Sequence, residues 1–321
     1  MCHLRLLVVL AVCAVASVLV ALLVGSVPLA VRDALDALLF QSSGVTHDIV
    51  WQLRLPRALA AFACGALLAS SGVLLQVLLR NPLADPYVLG ISGGAALGAL
   101  GAMLAGATFA VMNATAFAGA AAAIAIVFGL SFRAGDWNPH RLLLTGVVLS
   151  SGFAALISLI LAVAPQAQLK GMLFWLMGDL SDAGASGSAW LLLALLLAVF
   201  TWCADGLDAL ALGALKARVL GVAVTPLQAA IYAGAAAATV AAVLLGGSIG
   251  FVGMMAPHAL RLLGVHAHRV LLPAAALSGG IFVVLADVLA RTLWAPQQLP
   301  VGVFTALVGV PVLLLLLSRK A

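Results

Sequence analysis

Runs of about twenty residues without a charged side chain recur along nearly the whole chain, and they limit its fold more than any motif does. About 20 predominantly apolar residues cross the hydrocarbon core of a bilayer. A chain of 321 residues built this way has room for about ten such crossings. Charged residues make up 8% of it, against about 25% in soluble domains. With 65% of the residues hydrophobic, a water-soluble core is excluded. In a soluble protein the net charge of +5 would point to nucleic acid. Here it reads as basic residues kept on one side of a membrane. The first run, 6–24, follows the short basic stretch Met1–Arg5 and is longer than the roughly 7–15 residues of a signal-peptide core. It reads as a span that stays.

The spacing predicts an all-α polytopic membrane protein, 1–321 forming one transmembrane domain. Spans are expected near 6–24, 58–79, 88–107, 114–132, 142–163, 189–203, 226–247, 251–263, 270–289 and 301–317. The eighth is too short to cross alone and is expected to end inside protein. With the N-terminus inside, Arg5, Arg80, Arg133, Arg141, Lys216, Arg218, Arg261, Arg269, Arg319 and Lys320 lie on the inner side. Arg32, Arg54, Arg57, Lys170 and Arg291 lie outside. This 10 to 5 division favours an even number of spans and two cytoplasmic termini.

Small residues recur at every fourth position on three spans. The ridges are Gly90, Gly94, Gly98, Ala102 and Gly106; Gly146, Ser150, Ala154, Ser158 and Ala162; and Ala230, Gly234, Ala238, Ala242 and Gly246. Such ridges let helix backbones approach closely in lipid, where apolar burial drives little association. Two outer segments carry polarity. Gly25–Pro56 is expected to hold a short amphipathic surface helix. Within Pro165–Ser188, Gly171 and Gly178 bracket a re-entrant helix of about two turns. The cysteines Cys2, Cys13, Cys64 and Cys203 show neither C-x-x-C nor metal spacing and read as small apolar side chains.

One inner stretch mixes polar and apolar residues: C-A-D-G-L-D-A-L-A-L-G-A-L-K-A-R-V-L-G-V-A-V-T, Cys203–Thr225. Its leucines suit two short helices parted at Gly213. Four other stretches stand out. R-L-P-R occupies Arg54–Arg57, and L-R-N-P-L-A-D-P-Y-V-L-G-I-S-G-G-A occupies Leu79–Ala95. G-S-I-G-F-V-G-M-M-A-P-H-A-L-R occupies Gly247–Arg261, with H-R-V-L-L-P and L-A-D-V-L-A-R after it. L-P-V-G-V-F-T-A-L-V-G-V-P opens the last span, Leu299–Pro311. In this order and at these separations the stretches resemble the permeases of ATP-driven (ABC) importers for cobalamin, ferric siderophores and haem.

The resemblance implies ten spans per subunit and a homodimer with its substrate path along the dimer axis. It also implies two ATP-binding subunits inside, a periplasmic or lipid-anchored binding protein outside, and a place in a bacterial inner membrane. ATP and Mg would belong to the ATPase partner, with no cofactor on this chain. About 203–225 would be the coupling segment, through Asp208, Leu212, Gly213, Ala217, Leu220 and Gly221. An acidic residue commonly follows the central glycine in that family; here Ala214 stands there, and the chain contains no Glu. Taken alone, this segment also fits an ordinary interfacial loop helix. Asn81 and Leu83 would form one half of a cytoplasmic gate in a turn stiffened by Pro82 and Pro86. Pro139 and His140 occupy the other half, where small polar residues are usual. Arg54, Arg57 and Arg291 match arginines that pair with carboxylates of the docked binding protein. Placed at span ends, they are expected to reach water. F-W-L-M-G is closer to the cobalamin permeases of the family than to the others.

Other readings are weaker. His258, His266 and His268 include one H-x-H, too little for a metal or haem site. Asp287 and Arg291, four apart, are placed to pair across one helical turn. No G-x-x-x-x-G-K-[ST], H-E-x-x-H or G-x-S-x-G is present, so neither a P-loop nor a motif of an intramembrane enzyme is found. A secondary transporter driven by protons or sodium is the alternative. It usually keeps an intramembrane carboxylate or histidine relay, and only Asp287 falls within a predicted span, near its end.

Overall fold

The computed structural model describes residues 2–27, 30–39, 44–133, 136–137, 139–184 and 186–318. Arg319 and Lys320, counted above among the inner cations, lie outside the described residues. The chain is a helical bundle. Helix α1 is Cys2–Leu23, α2 Val31–Leu38 and α3 Val45–Asp48. A π-helical stretch, Ile49–Arg54, leads directly into α4, Leu55–Leu79. A 3-10 turn at Pro86–Leu89 precedes α5, Ile91–Leu104, and α6, Phe109–Ser131. Two-residue strands β1, Phe132–Arg133, and β2, Asp136–Trp137, pair antiparallel. Then come α7, Pro139–Val163, α8, Gln166–Met177, and α9, Gly187–Trp202. Two short helices follow, α10, Ala204–Ala211, and α11, Ala214–Val219. The chain closes with α12, Val224–Gly246, α13, Val252–Leu262, α14, His268–Thr292, and α15, Val301–Ser318.

All ten predicted spans coincide with helices: α1, α4, α5, α6, α7, α9, α12, α13, α14 and α15. Among the described residues, six helical stretches are long and apolar enough to cross a bilayer alone, and α9 with α10 adds a seventh as a pair bent by 67°. With 14 residues, α5 spans about 21 Å at 1.5 Å per residue and needs its neighbours to complete a crossing. Helix α13 has eleven residues, too few to cross alone, and Val252 and Gly253 at its start are buried.

Helix α4 is the axis of the bundle. It is apolar on every face and buried on nearly all of them, against α1, α9, α12, α13 and α14. The approach is backbone to backbone. A Cβ on Gly65 would lie 2.2 Å from the Gly279 carbonyl oxygen of α14, and one on Gly72 would lie 1.8 Å from that of Gly253 on α13. Polar side chains fasten the same core, with Ser71 Oγ 2.8 Å from Thr239 Oγ1 and donating to the Ala235 carbonyl at 2.9 Å.

The small-residue ridges resolve unevenly. On α5, Gly94 and Gly98 meet the carbonyls of Gly119 and Thr115 on α6. On α12, Gly234 meets Phe200, while Ala238, Ala242 and Gly246 are buried. On α7, Gly146 rests on the Val88 carbonyl, but Ala154, Ser158 and Ala162 are exposed, so most of that ridge is uncovered among the described residues.

Two expectations for the outer segments change. The helix beginning at Val45 runs without a break into α4, 35 residues in all, so Pro56 does not open a new span. Pro56 has no N–H to give the preceding turn, and the π-helical turns sit immediately before it, where a wider bonding pattern relieves the clash. In the second segment the helix starts at Gln166, not Gly171, and is twelve residues long. The expected amphipathic helix is α2, with Val31, Arg32 and Asp33 exposed and Trp51 Nε1 donating to the Ala37 carbonyl at 3.0 Å.

Candidate functional site

The predicted site residues fall at the two ends of the bundle. Contacts fix which loops share an end. Arg54 and Arg291 reach the C-terminal end of α1. The N–H of Val301, opening α15, donates to the Gly178 carbonyl beside α8. Helix α1 thus starts, and α15 ends, at the end that carries α10 and α11.

At the inner end, Gly213 has φ 115° and ψ 148°, a backbone state open to glycine, and it parts α10 from α11 as the sequence predicts. Gly221, with φ 81°, ends the second helix. Leu207, Leu210 and Ala217 turn into the core. Leu212, Leu215, Val219 and Leu220 turn out, 62%, 76%, 82% and 65% exposed. The segment therefore offers an exposed apolar face, flanked in sequence by Lys216 and Arg218. Asp208 points back into the chain. Its Oδ1 accepts the backbone N–H of His268 at 3.1 Å and lies against His268 Nδ1.

The N-P-L-A-D-P turn lies beside this segment. Arg80 ends α4 in the left-handed conformation, with φ 48°. Asn81 Oδ1 accepts the Leu83 N–H at 3.0 Å, closing the turn. Asp85 accepts the Tyr87 N–H at 2.9 Å. Burial pushes the Asp85 carboxyl up to about 6, against the opposing pull of that N–H. The Tyr87 hydroxyl donates to the Ile249 carbonyl at 3.0 Å and accepts the Ile249 N–H at 2.9 Å, holding the turn to the 247–251 loop. Gln76 completes the brace, donating weakly to the Gly253 carbonyl and accepting from Arg261.

The turn and the α10–α11 segment wall one inner cavity of about 730 Å³, with Asn81 and Pro82 on one side and Asp208, Leu212 and Leu220 on the other. The structure thus brings together two groups of predicted residues. Of the second predicted gate half, His140, exposed at the start of α7, is not among the described residues lining this cavity, and the side chain of Pro139 lies outside the described residues. Among the described residues, His, Cys and Asp side chains form no group of three that would hold a metal.

At the outer end the expectation for the arginines is corrected. Arg54, Arg57 and Arg291 are 4%, 8% and 4% exposed, and their donors turn inward. Arg57 grips Asp287 with Nε and Nη2, the latter 2.8 Å from Oδ1, and donates Nη1 to Gln298 Oε1 at 2.7 Å. Arg291 Nε lies 3.0 Å from Asp287 Oδ2, the predicted ion pair, and Nη2 donates to the Ala21 carbonyl at 3.2 Å. Arg54 donates to the carbonyls of Leu22 at 2.7 Å, Leu23 at 3.0 Å and Val27. The reason is local. The last carbonyls of α1 have no helical partner and no basic residue of their own to satisfy them. Asp287, 1% exposed, needs cations.

Sequence reasoning missed an outer cavity of about 840 Å³ between α5, α6, α8, α9 and α12. Phe109, Phe174 and Trp175 give it aromatic walls, and Lys170, Asp179 and Asp182 a polar rim. Lys170 Nζ stands 5.6 Å from the centre of the Phe174 ring. The one signal for it was the aromatic run F-W-L-M-G beside two aspartates.

Comparison with known proteins agrees with this architecture. Residues 12–319 match the FecCD transport family. The chain is 39% identical over 273 residues to the vitamin B12 import system permease protein BtuC of Shigella sonnei, covering 84% of this chain and 83% of that protein. It is 38% identical over 275 residues to the protein of the same name from Salmonella paratyphi A, covering 85% and 84%. A solved structure described as an inward-facing conformation of a putative metal-chelate type ABC transporter superposes with TM-score 0.85 at 29% identity, covering 99% of both chains. PsaBC from Streptococcus pneumoniae, solved in complex with a Fab, has a TM-score of 0.53 at 15% identity and shares the fold alone.

Proposed function

The chain belongs to the FecCD transport family, and from that premise we propose that it is the membrane-spanning subunit of an importer that carries a cobalamin-type metal chelate inward across a bacterial inner membrane. A separate ATP-binding subunit, holding ATP and Mg, drives the transport. A binding protein delivers the chelate at the outer face. The names of the relatives support cobalamin as cargo; the metal-chelate description of the superposed structure leaves a ferric siderophore or haem as the second reading.

The observation that carries the proposal is the exposed apolar face of Leu212, Leu215, Val219 and Leu220. Leucines this open on the water side of a loop mark a surface that another protein covers. In this reading an ATPase subunit covers it, beside the inner cavity that the turn at Asn81 and Pro82 also lines. Two copies of the chain face each other, which would cover the exposed ridge on α7. The binding protein docks above Arg54, Arg57 and Arg291, which hold the helix ends forming that face and are not free cations.

Reconstitution tests this. The chain is placed in liposomes with its ATPase inside and its binding protein outside, and uptake of radiolabelled cobalamin is followed. Uptake is expected with ATP and absent without it, and Leu215→Asp is expected to lose the ATPase on purification. Uptake driven by a proton or sodium gradient in ATP-free vesicles would instead establish a secondary transporter.

A further inference from the structure

Helix α10 touches the first two residues of α14 in two places. Asp208 holds His268, through the backbone N–H at 3.1 Å and through Nδ1. Asp205, three residues earlier on the same face, reaches Arg269 at 3.5 Å. The contacts are not equal. Arg269 and Asp205 are 65% and 86% exposed, and such a surface pair contributes little. His268 is 4% exposed, and Asp208 covers it.

Two features set the Asp208 contact apart from ordinary packing. The N–H of His268 is one of the donors that a helix start leaves without a partner. Ala267, the residue before it, has no side chain to cap it, so the cap comes from another element. A carboxylate there also meets the positive end of the α14 dipole. The second feature is a cost. His268 Nε2 is buried with no hydrogen-bond partner, a state that destabilises a fold. An apolar residue would fill the place more cheaply; the imidazole adds a second grip on Asp208.

What lies beyond the contact gives it direction. Helix α14 is pressed backbone to backbone on α4 at Gly65 and Gly279, a close-packed contact through which a shift of one would press on the other. The inner end of α4 is Leu79, and the Asn81–Leu83 turn follows at once. We propose that Asp208 is a positioning residue, the joint through which the coupling segment moves the paired α4 and α14 and, with them, the inner turn. This rests on the transport reading above and adds the connection that reading lacks. Without the joint, α10 and α11 would follow the ATPase while the spans stayed behind.

The test uses the reconstituted complex of the chain with its ATPase and binding protein, and reads cobalamin taken up per ATP hydrolysed. Asp208→Ala is expected to lower that ratio about tenfold, the scale of one charge-assisted hydrogen bond, with the ATPase still bound and hydrolysing. Asp208→Asn keeps an acceptor for the His268 N–H and is expected to recover most of the ratio. Should Asp208→Ala fail to accumulate, His268→Ala leaves the cap in place and is expected to lower the ratio about threefold through loss of the ring contact. A purely structural cap would lower the melting temperature and leave the ratio unchanged. An unchanged ratio in Asp208→Ala, or in His268→Ala where that variant is used, overturns the joint while the transport reading stands. Absence of ATP-driven uptake in the unaltered complex overturns both.

Discussion

Asp287 is the most consequential single carboxylate at the outer end, because one anion there serves two guanidinium groups. Asp287→Ala removes every ionic partner of Arg57 and Arg291 among the described residues, leaving Arg57 with Gln298 and Arg291 with the Ala21 carbonyl. Both arginines remain under 9% exposed, so water cannot replace the lost carboxylate without opening the packing of α1, α4 and α14. Breaking a buried pair by removing one partner costs about 3–5 kcal/mol. Asp287→Ala is expected to fall in that range, at its upper half because two cations are stranded at once. Replacing the whole group by apolar residues of similar size removes the stranded charges along with the pair, and such exchanges are often close to neutral. The triple variant Arg57→Met, Asp287→Leu, Arg291→Met is therefore expected to be more stable than Asp287→Ala alone. Thermal unfolding of the purified protein in one detergent, with all variants measured side by side, reads the difference. A loss below about 1 kcal/mol for Asp287→Ala would mean that the group is hydrated in the membrane and would refute the reasoning.

Two further outcomes follow from the geometry at the inner end. Gly72→Ala places a Cβ 1.8 Å from the Gly253 carbonyl oxygen, so α4 and α13 must separate; a loss of about 1–3 kcal/mol in thermal unfolding is expected, and none would mean the helices are not in contact there. The Asp85 carboxyl, raised to about 6 by burial, favours the folded turn when protonated, so stability is expected to fall as pH rises from about 4 to about 6; Asp85→Asn should flatten that part of a melting-temperature profile, and an unchanged slope would count against the burial.

Much of the architecture was legible because the bilayer demands length and apolarity of every crossing. The ten segments could be marked from hydropathy alone, and the eighth, 251–263, was short already in the sequence; in the structure it is the eleven residues of α13. The break at Gly213 was legible because a glycine between two leucine-bearing pieces invites a backbone state that other residues avoid. The start of α8 was not. Gly171 reads as a stop, yet it sits inside the helix, where a Cβ would meet only the Met103 methyl at 3.3 Å. Glycine there relieves a contact and does not end a helix, and one sequence cannot separate the two uses. The α7 ridge was legible as a ridge, but Ala154, Ser158 and Ala162 on it are exposed, so most of it is uncovered among the described residues.

The outer arginines were misread for a reason that extends beyond them. Arg54, Arg57 and Arg291 stand on the side where positive charge is disfavoured, and a long side chain at a span end can usually reach water. That argument treats each cation separately. It leaves out two acceptors that only folding brings near. The last carbonyls of α1 are more than thirty residues upstream of Arg54, and Asp287 is 230 residues from Arg57. Once those acceptors are present, the balance reverses. Bare carbonyls at a helix end and a carboxylate at 1% exposure both lack water, and each gains more from a guanidinium than the guanidinium loses by leaving the surface. The same logic had already been legible for Asp287 and Arg291, where the partner was four residues away on one helix. A cation on the disfavoured side of a membrane is thus informative about a missing acceptor before it is informative about a partner protein, and here the acceptors were inside the chain.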